Sequence, residues 1–172
     1  MDAEVSRFPD VIEALRARYD AVVIDTGAGV SRETVVPTGA ADATILVSTP
    51  RVASVRDADK TTSVAERAGA PVGGIVLTKS GTGRSPPAER IAQFLDTDLL
   101  GHVPQDPAVP KSQDAGIPVV AHAPDSDASV AYREIAGELR QRPDLVGMSV
   151  SRDEAGFQFG NVDTAADGGD GR

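Results

Sequence analysis

Asp20-Ala21-Val22-Val23-Ile24-Asp25-Thr26-Gly27-Ala28-Gly29 is the stretch on which the reading of this chain turns. The run Ala21 to Ile24 is short, apolar on both faces and reads as a buried strand. An Asp follows at once, and then a Gly-rich turn. A carboxylate at a strand end suits a Mg²⁺ held through water beside a phosphate, where glycines let backbone amides approach an anion. The same Asp could simply cap a turn. These residues alone leave both readings open.

Outward from this stretch, apolar runs alternate with helical patterns. Upstream, Phe8, Val11, Ile12, Leu15 and Tyr19 recur at helical spacing, with Pro9 near the start. Downstream, Ala43–Val47, Val72–Leu77 and Leu99–Val103 read as three more strands. Val55, Ala58, Thr62, Ala65 and Ala68 share one face of a helix that Gly69 is placed to stop. Ser85-Pro86 starts another, with Ile91, Phe94 and Leu95 inward. A short helix spans Asp106 to Ala115, followed by the apolar run Ile117 to Val120. A last helix runs from about Asp127 to Gln141, with Ala131, Ile135 and Leu139 inward. Strands apolar on both faces and separated by helices predict an α/β fold: a mostly parallel sheet flanked by helices on both faces. The domain spans residues 1–142. After Pro143 the pattern fails, and 143–172 reads as a disordered acidic tail.

Composition narrows the functions. The chain has 172 residues, of which 40% are hydrophobic and only 3% aromatic, so its core is built from Val, Ile, Leu and Ala. It has no cysteine, which excludes a disulfide framework, a thiolate metal site and a Cys nucleophile. The net charge is -9, and only Lys60, Lys79 and Lys111 are lysines. Dense carboxylates with little Lys read as a salt-adapted, halophilic cytoplasmic protein, and they argue against nucleic acid as a direct partner. No run is long and apolar enough to span a membrane, and no secretory signal opens the chain.

Ligands of such sheets sit at the carboxyl ends of the strands. There the sequence places Asp25; Ser48-Thr49-Pro50-Arg51; Thr78-Lys79-Ser80-Gly81; and Pro104-Gln105-Asp106. Each is weak alone, but four polar strand ends would face one crevice.

In this order the segments resemble the MinD/ParA family of P-loop ATPases, in particular MinD-like members of the archaeal type. Asp20 to Gly29 is similar to the family's Walker B and switch II segment. Ser48-Thr49-Pro50-Arg51-Val52-Ala53-Ser54-Val55-Arg56-Asp57-Ala58-Asp59-Lys60 is similar to MinD's next strand end and helix. Leu99 to Asp106 and Gly116 to Val120 resemble the late strand and loop that pass the adenine. Pro124-Asp125-Ser126 and Ala131 to Ala136 resemble the closing helix. The likeness covers roughly residues 10 to 142. It implies ATP and Mg²⁺ as ligands, with Asp25 in the metal shell and Gly29 near the γ-phosphate. It places Thr78, Lys79, Pro104, Gln105 and Asp106 around the base. Thr78 stands where the family uses an Asn, a departure that bears on adenine selectivity. Arg51, Arg56 and Asp57 fall on the dimer or partner surface.

The family's phosphate loop, Gly-rich and ending in Gly-Lys-Thr, has no counterpart before Asp25. Lys79-Ser80 and Lys60-Thr61 lack the preceding glycines. Without loop, lysine and catalytic acid, phosphoryl transfer loses most of its stabilisation. The chain alone is therefore expected not to bind or hydrolyse ATP, and no residue is assigned as catalytic. The resemblance implies a role in spatial positioning or partitioning, as in cell division, with a homodimer or a MinD/ParA-like chain as partner. A non-catalytic module that binds another such ATPase is the alternative. An amidotransferase- or synthetase-like relative is a third, with no substrate motif behind it. Phe157 and Phe159 stand isolated among polar residues, which argues against direct membrane binding.

Overall fold

The structure, a computed structural model, describes residues 7–27, 31–81 and 85–146. Its centre is a parallel sheet of β1 (Thr44–Ser48), β2 (Val72–Ser80) and β3 (Leu99–Pro104), in the order β1-β2-β3. Leu46 pairs with Ile75, Ser48 with Leu77, and Leu77 with His102. The crossovers are α3 (Val52–Ala68) and α4 (Ala88–Phe94). Successive right-handed crossovers that step in one direction put their helices on one face. Accordingly, Leu46, Ile75 and Leu77 pack with Ala58, Ile91 and Leu95 on that face. The period of two sends Val76 the other way, to Leu100 and Val103. There α7 (Asp127–Arg140) covers them with Ala128, Ala131 and Ile135. Helices flank both faces, as the sequence predicts. The shorter helices are α1 (Phe8–Arg16), α2 (Arg32–Gly39), α5 (Ala108–Asp114), α6 (Val119–His122) and α8 (Pro143–Val146).

The largest difference from the sequence reading falls on its opening stretch. Ala21 to Gly27 form no strand, and Val23 is 94% exposed. A strand exists only through hydrogen bonds to a neighbour. Among the described residues β1 pairs with β2 alone, and no strand lies on its other side to receive 21–24. In place of a first strand, the chain folds α2 against α3, with Thr34 and Thr38 buried. Arg16 reaches back to Asp42 at 2.8 Å and ties α1 to the start of β1.

Three apolar assignments also change. Val11, Tyr19 and Phe94, expected inward, are exposed, while Ile12, Ile91 and Leu95 carry the burial. The run Ile117 to Val120 enters the short helix α6 through Pro118. Order continues past Pro143 for one turn, because Leu145 packs against Gly73 of β2. The rest of the expected tail, 147–172, lies outside the described residues. Helix α3 stops where expected, at Gly69 in the left-handed region with φ 82°.

Two further glycines set the spacing of the layers. Gly74 has φ 153° and Gly101 has φ 154°, values that side chains rarely adopt. A Cβ on Gly74 would lie 2.5 Å from Leu100 Cγ, and one on Gly101 would lie 2.5 Å from Ile135 Cγ1. Gly101 is thus the point where α7 comes down onto β3.

Candidate functional site

The carboxyl ends of β1, β2 and β3 are laced together by side chains. The Thr78 hydroxyl donates to the Ser48 carbonyl at 3.4 Å. The Ser80 hydroxyl lies 3.2 Å from the Val103 carbonyl, to which it donates, and 3.1 Å from His102 Nδ1. If the Ser80 proton goes to Val103, the Ser80 oxygen is left to accept from His102 Nδ1 in the tautomer protonated there. The Gln105 amide donates back to the Ser80 carbonyl at 3.1 Å. Lys79, between them, is held at φ 54°, in a region that non-glycine residues rarely occupy. Thr78, Lys79, Pro104, Gln105 and Asp106 therefore sit together at the ends of two adjacent strands. Ser80 and His102 join them: Ser80 belongs to the strand-end run 78–81, and the pairing of β2 with β3 brings His102 to it from within β3.

Asp106 is fixed from two sides. Its Oδ1 accepts from the Ala108 amide at 2.7 Å and its Oδ2 from the Ala128 amide at 3.0 Å. The bond from Ala128 and then that from Ala108 hold its carboxyl below the usual carboxylate range, against partial desolvation. Both oxygens face backbone donors, so what this loop offers a ligand is backbone and Gln105. Asp106 also locks the first turn of α7, whose N-cap Ser126 accepts from the Ser129 amide.

A carboxyl held low contributes stability above its ordinary pKa and loses it as pH falls through the lowered value. Asp106→Asn keeps one acceptor and removes the charge. It is expected to lower the urea midpoint at neutral pH, and the gap should narrow as pH falls below the ordinary carboxylate range and the wild-type carboxyl takes up its proton. Urea titrations of both proteins across that range test this. A gap that stays constant would show that the charge on Asp106 is not what matters.

At the end of β1, the Thr49 hydroxyl donates to Ser54 Oγ at 2.8 Å, and Arg51 is the N-cap of α3 without a side-chain cap. Arg56 and Asp57 are exposed on the first turns of α3, and Asp57 pairs with Lys60 at 3.3 Å. They share one helix end.

Asp25 stands apart. It is exposed, and no hydrogen bond or ion pair joins it to the strand-end cluster among the described residues. Gly29 lies outside those residues. The Gly27 carbonyl accepts from the Thr34 hydroxyl at 3.2 Å, which anchors the turn to α2. No group of three or more metal-ligating side chains occurs among the described residues. A single carboxylate such as Asp25 fits Mg²⁺ only where phosphate and water supply the other ligands. Nor is any helix there long and apolar enough to cross a membrane.

A parallel sheet covered by helices on both faces, with polar residues gathered at its carboxyl ends, is the architecture of a P-loop NTPase-like α/β domain. The ParA family model, described as NUBPL iron-transfer P-loop NTPase, matches residues 13–140. An ATP-binding protein of Methanocaldococcus jannaschii is 33% identical over 138 residues, covering 80% of this chain and 52% of that one. The septum site-determining protein MinD of Bacillus subtilis is also 33% identical over 138 residues, covering 76% and 50%. The structure of the septum site-determining protein MinD from Pyrococcus horikoshii, complexed with Mg-ADP, superposes with a TM-score of 0.74 at 30% identity, covering 80% of this chain and 57% of that one. The chain belongs to the ParA/MinD family of P-loop NTPases. It spans about half the length of the curated relatives it matches.

Proposed function

We propose that this chain is the metal-side and base-side portion of a MinD-like nucleotide switch that positions cellular cargo, and that it works when a strand bearing the phosphate loop is added beside β1. One observation carries the reading: among the described residues β1 is an open edge, paired on one side only. Val47, next to its last residue, is 67% exposed, although its partner on β2, Val76, is buried. Thr44 Oγ1, at its start, is buried without a hydrogen-bond partner. The apolar run Ala21 to Ile24 forms no strand and pairs with none among the described residues. One parallel strand inserted between the two would give both their missing partner and bring Asp25 beside a phosphate loop. The relatives support nucleotide as the ligand: one is named an ATP-binding protein, and another is a MinD complexed with Mg-ADP. In the assembled site Asp25 would hold Mg²⁺ through water, and that ion would neutralise phosphate charge. The backbone around Pro104 to Asp106, with Gln105, Thr78 and Lys79, would hold the base.

The test supplies the strand-and-loop segment of a MinD relative, joined ahead of this chain or as a separate polypeptide. Binding of a fluorescent ATP analogue is then measured with and without Mg²⁺. Mg²⁺-dependent binding that appears only with the segment and is lost in Asp25→Ala is the expected result. Equal binding with and without the segment, or indifference to Asp25→Ala, overturns the reading.

A further inference from the structure

The opposite border of the sheet is also open. β3 pairs with β2 alone among the described residues, so its outer edge presents unpaired backbone donors and acceptors. Such edges are normally blunted by Lys, by buried charge or by proline within the strand. Leu99–Pro104 has no charged residue, and its proline is the last position. A groove of about 580 Å³ runs between this strand and α7. Gly101 and His102 form part of one wall, and Val130, 41% exposed, is an apolar residue of the other.

The same groove is lined by Asp127, Glu134 and Glu138 of α7. Spacings of seven and four put these carboxylates on one side of the helix. All three are exposed, and none takes part in an ion pair among the described residues. Glu134 and Glu138 are like charges one turn apart, an arrangement that weakens a helix on its own. Along one groove, then, lie an unblunted strand edge, the exposed side chain of Val130 and a stripe of carboxylates without ion-pair partners among the described residues.

We infer that this groove docks an extended segment of a partner protein, added as a strand to the edge of β3, with basic side chains at alternate positions facing Asp127, Glu134 and Glu138. Backbone hydrogen bonds supply the affinity of such an addition, and alternate side chains supply its selectivity. The charge complementarity fixes the chemistry of the occupant. A second copy of this chain, with net charge -9, offers this acidic groove no complementary charge.

The probe is a labelled hexapeptide of alternating Lys and Val, with two controls: alternating Glu and Val, and the basic composition rearranged as three Lys followed by three Val. Anisotropy is measured on the full chain at low salt, with amide hydrogen exchange along β3. The alternating basic peptide is expected to bind about tenfold or more tighter than either control and to slow exchange in Leu99–Pro104. The double variant Glu134→Lys/Glu138→Lys should lose that preference, and Glu134→Gln should lose part of it. Both positions are exposed, and circular dichroism checks that the helix persists. Equal binding of the three peptides, binding indifferent to both variants, or protection that appears outside β3 overturns the proposal. So does sedimentation showing that β3 is occupied by self-association. None of these outcomes depends on nucleotide, so this result and that of the strand-complementation test are independent.

Discussion

Gly101→Ala is expected to destabilise the fold by about 2–3 kcal/mol, most of what overpacking a tight interface costs. Two effects add. The new Cβ would meet Ile135 Cγ1 at 2.5 Å, and Ile135 is buried at the centre of the α7 face. The backbone at φ 154° is also one that alanine resists. For a chain of this size the loss corresponds to a fall in Tm of roughly 5–10 °C. Urea or thermal unfolding measures it. Shortening the opposing side chain gives an internal check: Gly101→Ala in an Ile135→Val background should lose less than the sum of the two single changes, because the pair shares one contact. Strict additivity, or a single-mutant loss below about 0.5 kcal/mol, would mean that α7 shifts freely on β3.

Leu77→Ala should have the larger effect, about 3–4 kcal/mol, within the range for deleting a fully enclosed leucine. Leu77 is 0% exposed and packs with Leu46, Ile75 and Ile91. With Ile75 and Val76 it is one of the β2 residues that pair on both sides, opposite Ser48 on one and His102 on the other. Thr78 and Ser80, which follow it, make the cross-strand bonds that gather the site. Hydrogen exchange should therefore quicken at Thr78 and Gln105 in this variant, beyond the general loss of stability. Unfolding titrations give the energy, and residue-resolved exchange gives its reach. A loss under about 1 kcal/mol, or exchange at those amides unchanged relative to the global rate, would contradict the packing described here.

The parts of this fold that were legible in the sequence are those whose signals are local. β2 and β3 read as apolar runs because both their faces are covered. Helix α3 had its stop at Gly69, and α7 had its inward Ala131 and Ile135. The segment Ala21 to Ile24 has an equally strong strand pattern and is no strand, because pairing depends on a neighbour that no local window contains. Helix α2 is not legible for the converse reason: Arg32–Gly39 has little apolar periodicity and an internal Pro37, buries the polar Thr34 and Thr38, and forms by packing against α3. Of the candidate site, strand-end placement could be read in advance for Thr78, Lys79 and Pro104 to Asp106. That Asp106 would turn both oxygens onto backbone amides could not, since one of its donors, Ala128, lies 22 residues away. The Ser80–His102 pair depends on strand register, which composition does not carry.

The two faces of the sheet are completed at different times in the life of the chain. Helices α3 and α4 lie between the strands they cover, so the face of Leu46, Ile75 and Leu77 acquires its cover as the strands themselves emerge. The face of Val76, Leu100 and Val103 depends on α7, which begins 23 residues after β3 ends. During synthesis that face stays bare on the nascent chain until residue 140 has left the ribosome. At ordinary elongation rates this is an interval of seconds. Chaperone engagement of ribosome-bound chains should therefore be strongest for those arrested between β3 and the end of α7.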